Sequence, residues 1–189
     1  TMEAMIDLET WGKLPGCQIR SVGAVMFDPY DWSKPMQLFY ANTDTPSQGQ
    51  VGMHRDPETV QWWNDQSAEA QAVFSLTPQF ELSVVLPELF EFVGKADYVW
   101  SHGKEFDLSI IEDAATRFWL TPPWKFWNKM DTRTIYRLAS VKPETRPGYG
   151  IKHHAMHDAY NQAYAVQTAF MKLTTDIPNG IVPKFLRGK

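Results

Sequence analysis

The apolar residues of this chain change their period part-way along it. Ala4 to Leu8 is a short apolar run, Ile19 to Phe27 alternates and is rich in β-formers, and Met36 to Asn42 gives a third run of the same kind. From Gln79 onward the spacing becomes three and four. A period of two belongs to strands and one of 3.6 to helices. The Gly/Pro turn from Lys13 to Gly16 is too short for a crossover, so the first two strands are expected to pair antiparallel. Tyr98 to Trp100, short and apolar, reads as a strand buried on both sides of a sheet. Three antiparallel strands followed by alternating helices and strands make an α/β domain on a mixed β-sheet flanked by helices.

The helices can be placed by their ends. Asp56 is an N-cap before Pro57, opening a short helix through Trp62 and Trp63. Gln79 to Gly94 carries Phe80, Val84, Leu86, Leu89, Phe90 and Val93 at helical spacing, with Gly94 as its end. Phe106 to Trp119 and Thr132 to Ala139 follow, then a loop over Pro143 to Gly150. A last helix, Asp158 to Leu173, has Ala159, Ala163, Val166, Phe170 and Leu173 on or near its inner stripe. With no internal repeat or low-complexity tract, residues 1–189 are expected to form one domain with an irregular tail from about 176.

Hydrophobic residues make up 43% and charged residues 21%, an ordinary globular balance. No apolar run is long enough to cross a bilayer, and no signal peptide is visible. Cys17 is the only cysteine, which excludes an intrachain disulfide and a cysteine-based zinc site and fits a cytoplasmic location. The net charge of −4 argues against a long phosphate footprint. It does not argue against a short one, since acids gathered to hold cations lower the formal charge while the cations go uncounted.

The residues that carry chemistry are mostly acids. Asp7 and Glu9 lie two apart on the first strand, so both carboxylates face one way and can bridge a cation. The plainer alternative is a solvated acidic pair. Asp107 follows the Tyr98 to Trp100 strand at the start of a helix, where α/β sheets bind ligands; alone it would be read as an acid satisfying helix N–H groups. His153 and Asp158 are five apart, which on one helix would leave them roughly 140° apart. To serve one site, His153 must lie in the entering loop and Asp158 near the helix start. His154 and His157 offer only a weak zinc signal, with no third His nearby, and His157 has no assigned task.

Taken in order, Asp-x-Glu at Asp7 and Glu9, Phe-Asp at Asp107, and His-x4-Asp at His153 and Asp158 resemble the DEDDh exonuclease superfamily, which includes proofreading subunits and ribonuclease T. Ile6 to Thr10, Pro57 to Val60 before Trp62 and Trp63, and Pro123 to Trp127 are similar to phage and prophage exonucleases grouped with the Rv2179c-like 3′-to-5′ exoribonucleases. The resemblance implies a ribonuclease H-like fold, metal binding by Asp7, Glu9, Asp107 and Asp158, and His153 as general base. One departure stands out: relatives often carry Asn ahead of the Phe-Asp, where this chain has His102-Gly103.

The chemistry agrees. Two divalent ions about 3.5 to 4 Å apart can stabilise the attacking and leaving oxygens of a phosphodiester, and hard carboxylates suit Mg²⁺ or Mn²⁺. His153 would accept the proton of the attacking water, from a mobile loop that lets it stand away until substrate binds. The expected product is a nucleoside 5′-monophosphate from the 3′ end of single-stranded DNA or RNA, with DNA favoured through the phage-type likeness. Thr10 and Trp11 are candidates to contact the terminal nucleotide, with ordinary packing as an equal alternative, and His102, in the turn ahead of Phe106-Asp107, is a further candidate for positioning substrate. Trp62 and Trp63 are expected in the core. Relatives suggest a homodimer. A non-catalytic binding relative would have lost acids that this chain keeps, and a phosphatase would lack this order of motifs.

Overall fold

The computed structural model describes residues 1–143 and 148–175. The expected tail from 176 and the centre of the Pro143 to Gly150 loop lie outside the described residues. Three strands come first: β1 (Glu3–Thr10), β2 (Ile19–Phe27) and β3 (Gln37–Thr43). Helices α1 (Pro46–Gln50), α2 (Pro57–Asn64) and α3 (Ala68–Ser75) follow, then β4 (Gln79–Phe80) and α4 (Leu82–Val93). Next come β5 (Val99–Ser101), α5 (Asp107–Arg117), a 3₁₀ turn at Phe126–Asn128, β6 (Lys129–Asp131), α6 (Thr132–Ala139) and α7 (Ala155–Thr175).

The six strands form one mixed sheet in the order β4-β3-β2-β1-β5-β6. β2 lies antiparallel between β1 and β3, whereas β5 joins β1 in parallel and β6 joins β5 in parallel. Alternation along β1 sorts its side chains. Ala4, Ile6 and Leu8 enter a core with Leu86 and Leu89 of α4 and Leu108 and Ile111 of α5. Met5 enters the opposite core with Val25, Phe27 and the α7 residues Ala159, Ala163 and Val166. Asp7 and Glu9 share Met5's parity, so they face α7.

Two local features give the sheet its working shape. Between the pairs Glu9↔Ser21 and Thr10↔Ile19 the register shifts, leaving Arg20 as an extra residue in β2. Such a bulge turns the side chain of the inserted residue. At Gly23, paired with Asp7, a Cβ would stand 2.2 Å from the carbonyl carbon of Ala155, so the start of α7 lies directly on the strand backbone.

Some expectations need correction. Gln79 and Phe80 are not helical: they pair with Asn42 and Thr43 of β3, because the outer edge of β3 has unpaired backbone groups to satisfy. The helix begins at Leu82, and Phe80 and Val84 are exposed while Leu82 and Val85 are buried. Phe106 to Trp119 shortens to α5, since Trp119 takes a left-handed backbone with φ of 58° that ends helical geometry. Helix α7 starts at Ala155, three residues before Asp158. The short elements α1, β4 and β6 carry too few residues to show a period in sequence.

Gly23→Ala tests the close approach of α7. The new methyl would meet backbone, which cannot rotate away, so the helix start must move; overpacking of this kind costs typically about 1–3 kcal/mol. Urea denaturation should show a lower midpoint at unchanged slope. Any activity that depends on Asp158 should fall more steeply than the folded fraction, since α7 carries that residue. A variant with wild-type midpoint and rate would show that the contact is dispensable.

Candidate active site

Four acids reach one place from three elements. Asp7 and Glu9 project from β1 toward α7. Asp107, the first residue of α5, is buried behind the end of β5 and accepts the Leu8 N–H of β1 through Oδ1 at 3.0 Å. Asp158 lies in the first turn of α7. His153 stands two residues ahead of that helix with φ of 64°, outside helical geometry, as the five-residue spacing requires. Ligand atoms of Glu9, His153 and Asp158 all lie within 4.8 Å of one another. The imidazole is therefore already at the site and does not stand away from it.

The electrostatics record how unfavourable this gathering is. Removal from water, followed by the charges of Glu9, Asp107 and Asp158, pushes the Asp7 carboxyl well above the usual carboxylate range. Burial, then the charge of Asp158 and a hydrogen bond with it, does the same to Glu9, and the positive charge of Arg20 only partly offsets it. Asp107 is raised to about 7 by burial, against the Leu8 N–H that holds it down. Asp158 is raised by burial, with hydrogen bonds from Glu9 and the His153 backbone acting the other way. Burial, then the charge of Lys152, lowers His153, so the ring is biased toward the neutral form that can accept a proton.

The acids fit a divalent cation. Gln162 Nε2 donates to Asp7 Oδ1 at 3.0 Å, but Asp7 Oδ2 is closed to solvent and has no hydrogen-bond partner. A buried carboxylate oxygen without a donor is costly, and a positive ion is what would satisfy it. An all-oxygen set of carboxylates suits Mg²⁺, Mn²⁺ or Ca²⁺ better than zinc.

A cleft of about 480 Å³ opens beside Glu9, lined also by Leu8, Thr10, Lys13, Trp62, Trp63 and Phe106. Thr10 thus lies where contact with a terminal nucleotide was expected, although its Oγ1 is engaged with the Gly12 carbonyl at 2.7 Å. Trp62 was expected in the core, yet it is 43% exposed, in the cleft wall, with its ring edge-on to His153 at 4.9 Å. Trp63 is the core member, its Nε1 donating to the Thr10 carbonyl at 2.8 Å.

Two candidates sit outside this cleft. Trp11 packs edge-on against Trp63 and Phe74 under Arg20, the ordinary packing weighed for it in sequence. His102 pairs through Nδ1 with Thr132 Oγ1 at 2.7 Å at the head of α6. Beside it Gly103, with φ of 96°, leaves room for Arg133, whose Nη1 a Cβ would approach to 2.4 Å. That guanidinium lowers Asp107, so the His102-Gly103 turn brings a cation toward the cluster.

Sequence reasoning missed Arg20, Gln162 and Gly23. Gln162 stands four residues after Asp158 on the same helix face, a spacing that could have marked it. Arg20 is only 3% exposed, its guanidinium carbon 3.9 Å from the Trp63 ring centre and 4.4 Å from that of Phe74. Its one signal was a charge inside an otherwise apolar strand.

Residues 2–170 match the 3′-5′ exoribonuclease Rv2179c-like domain. No curated protein matches the chain. Among solved structures, the nuclease domain of 3′hExo, a DEDDh family member, bound to rAMP, superposes with a TM-score of 0.63 at 10% identity, covering 90% of this chain and 92% of that one. The RNase domain of yeast Pop2 gives 0.59 at 10% identity, over 94% and 80%. At such identities these likenesses bear on the fold, which they place with the ribonuclease H-like DEDDh nucleases.

The raised carboxyls make a prediction about stability. For Asp107 the folded state holds its proton up to about pH 7, whereas the unfolded chain releases it near 3.8, so stability is lost as pH rises through that window. A cation that binds only the folded, ionised cluster reverses the loss. At a hundredfold excess over Kd it contributes about 2.7 kcal/mol, or roughly 5–10 °C in Tm for a chain of this size. Differential scanning should show Mn²⁺ or Mg²⁺ raising Tm at pH 8 and raising it much less at pH 5. Indifference to both ions at both pH values would count against a cation site.

Proposed function

Because this chain belongs to the Rv2179c-like 3′-5′ exoribonuclease domain family, and so is a hydrolase of the DEDDh 3′-5′ exonuclease type, we propose that it releases nucleoside 5′-monophosphates from the 3′ end of single-stranded nucleic acid, using Mg²⁺ or Mn²⁺ held by Asp7, Glu9, Asp107 and Asp158. The observation that carries this reading is the Asp7 oxygen, buried and without a donor, inside a group of four acids beside a nucleotide-sized cleft. Divalent cations there supply positive charge to the attacking and leaving oxygens of the phosphodiester.

The chain's own residues do the rest. His153 accepts the proton of the attacking water on a ring nitrogen: burial and Lys152 keep the ring in the neutral form that can act as a base, and its approach to Glu9 and Asp158 brings it to the site. Gln162 and the Leu8 N–H orient Asp7 and Asp107. Thr10, Trp62 and Phe106 receive the terminal nucleotide, the aromatic faces stacking on any base. Lys13 lies between this cleft and a second groove of about 470 Å³ that carries His54 and Arg55, where the preceding phosphates would run.

The family's description favours RNA, and the phage-type likeness favours DNA. Side-by-side digestion of 3′- and 5′-labelled strands of both kinds, with Mg²⁺ and with Mn²⁺, decides between them. Mononucleotides should appear from the 3′ end only. Full turnover in excess EDTA, or cutting of a circular strand, would sink the mechanism or the polarity respectively. His153→Ala should lower the single-turnover rate by about 10² to 10⁴ while cation-induced stabilisation survives. A fully active variant would remove His153 from the role of base.

A further inference from the structure

His153 holds a left-handed backbone conformation, with φ of 64°, that a residue with a Cβ adopts only at a cost, and such strain persists only where the surroundings impose it. What imposes it here lies on α7. His157 Nδ1 accepts the Ile151 N–H at 2.8 Å. One turn on, Asn161 accepts the Tyr149 N–H through Oδ1 at 2.8 Å and donates to the Tyr149 carbonyl at 3.0 Å. Being four residues apart, the two side chains share a helix face and grip successive stretches of the incoming loop. Gly150 fits that grip: its φ is 71°, and a Cβ would stand 2.3 Å from His157 Nδ1.

The His157 ring is itself fixed. It stacks on His154 with centres 3.9 Å apart at 13°, His154 stacks on Tyr40 of β3 at 4.2 Å, and Tyr149 closes edge-on at 5.1 Å. Acceptance at Nδ1 places the proton of the neutral ring on Nε2. His154 and His157 are thus engaged in this stack, and His157 has a task that its spacing in sequence did not reveal.

We propose that His157 is a positioning residue for His153: by accepting the Ile151 N–H it clamps the loop to α7, with Asn161 as the second clamp, and so presents the His153 imidazole to Glu9 and Asp158. The inference rests on reading His153 as the base. His157 touches neither substrate nor cation and acts only through the loop.

A double-mutant cycle separates the two. His157→Phe keeps a stacking ring and removes the acceptor; His157→Asn keeps an acceptor near Nδ1 and removes the ring. His157→Phe should slow single turnover by about tenfold to a hundredfold, below the ceiling set by loss of the base itself. KM and the cation-induced rise in Tm should hold, and His157→Asn should recover most of the rate. In a His153→Ala background, His157→Phe should cost nothing further, and hydrogen exchange should show the Ile151 amide losing protection only in the Phe variant. Equal losses in both backgrounds, or a His157→Phe enzyme at wild-type rate, would overturn the positioning role and leave the base assignment standing. An active His153→Ala enzyme would instead overturn the base reading and the inference with it. If His157→Phe melts below the assay temperature, Asn161→Leu, which cuts both bonds to Tyr149, takes its place in the same cycle.

Discussion

Everything at the catalytic end of this molecule depends on how closely α7 can approach the sheet. A helix normally rests on a sheet through side chains; here the backbone at Ala155 meets the backbone at Gly23, and Ala155, Ala159 and Ala163 keep the sheet side of the helix small. Gly23 is paired with Asp7. The same absence of a side chain therefore admits the helix and leaves open the ground beside Asp7, where Asp158, Gln162 and the His153 loop converge.

That proximity has an electrostatic consequence. Four carboxyl groups with little access to water repel one another, and each is pushed upward by burial before any neighbour is counted. The fold tolerates this because the packing on either side is ordinary and extensive, one core between sheet and α4–α5 and another between sheet and α6–α7. Stability generated there holds the acids in an arrangement that they would not adopt alone. Preorganisation of this kind matters for catalysis, since a site already shaped for a cation need not reorganise when the reaction begins.

What could be read in the sequence follows the same physics. Strands β1 and β2, and helix α6, were legible because eight or nine residues show a period plainly, whereas the four acids stood out only through the resemblance of their order to the DEDDh exonucleases, since each alone read as well as a solvated or helix-capping acid. The loop place of His153 followed from an angle. What was hidden was whatever depends on partners distant in the chain: β4 forms because β3 has an open edge, Trp62 is a cleft residue because Trp63 takes the core position, and His157 matters because a loop folds back over it. Arg20 was hidden for a further reason, that a bulge is a property of two strands and not of one.

Arg20 also bears on the charge balance that argued against nucleic acid. A formal sum treats every charge as equally available to a ligand, yet this guanidinium is enclosed by Trp11, Trp63 and Phe74, and the acids of the cluster sit largely away from water. Neither set presents itself to an approaching strand as the sum implies. What a strand would meet at the cleft and the adjoining groove is Lys13, His54 and Arg55, with Glu58 paired to Lys13 at 3.2 Å and Asp56 engaged as the cap of α2. Such a surface is suited to a few phosphates and not to a long duplex, so the acidic total does not stand against the short footprint proposed for this cleft.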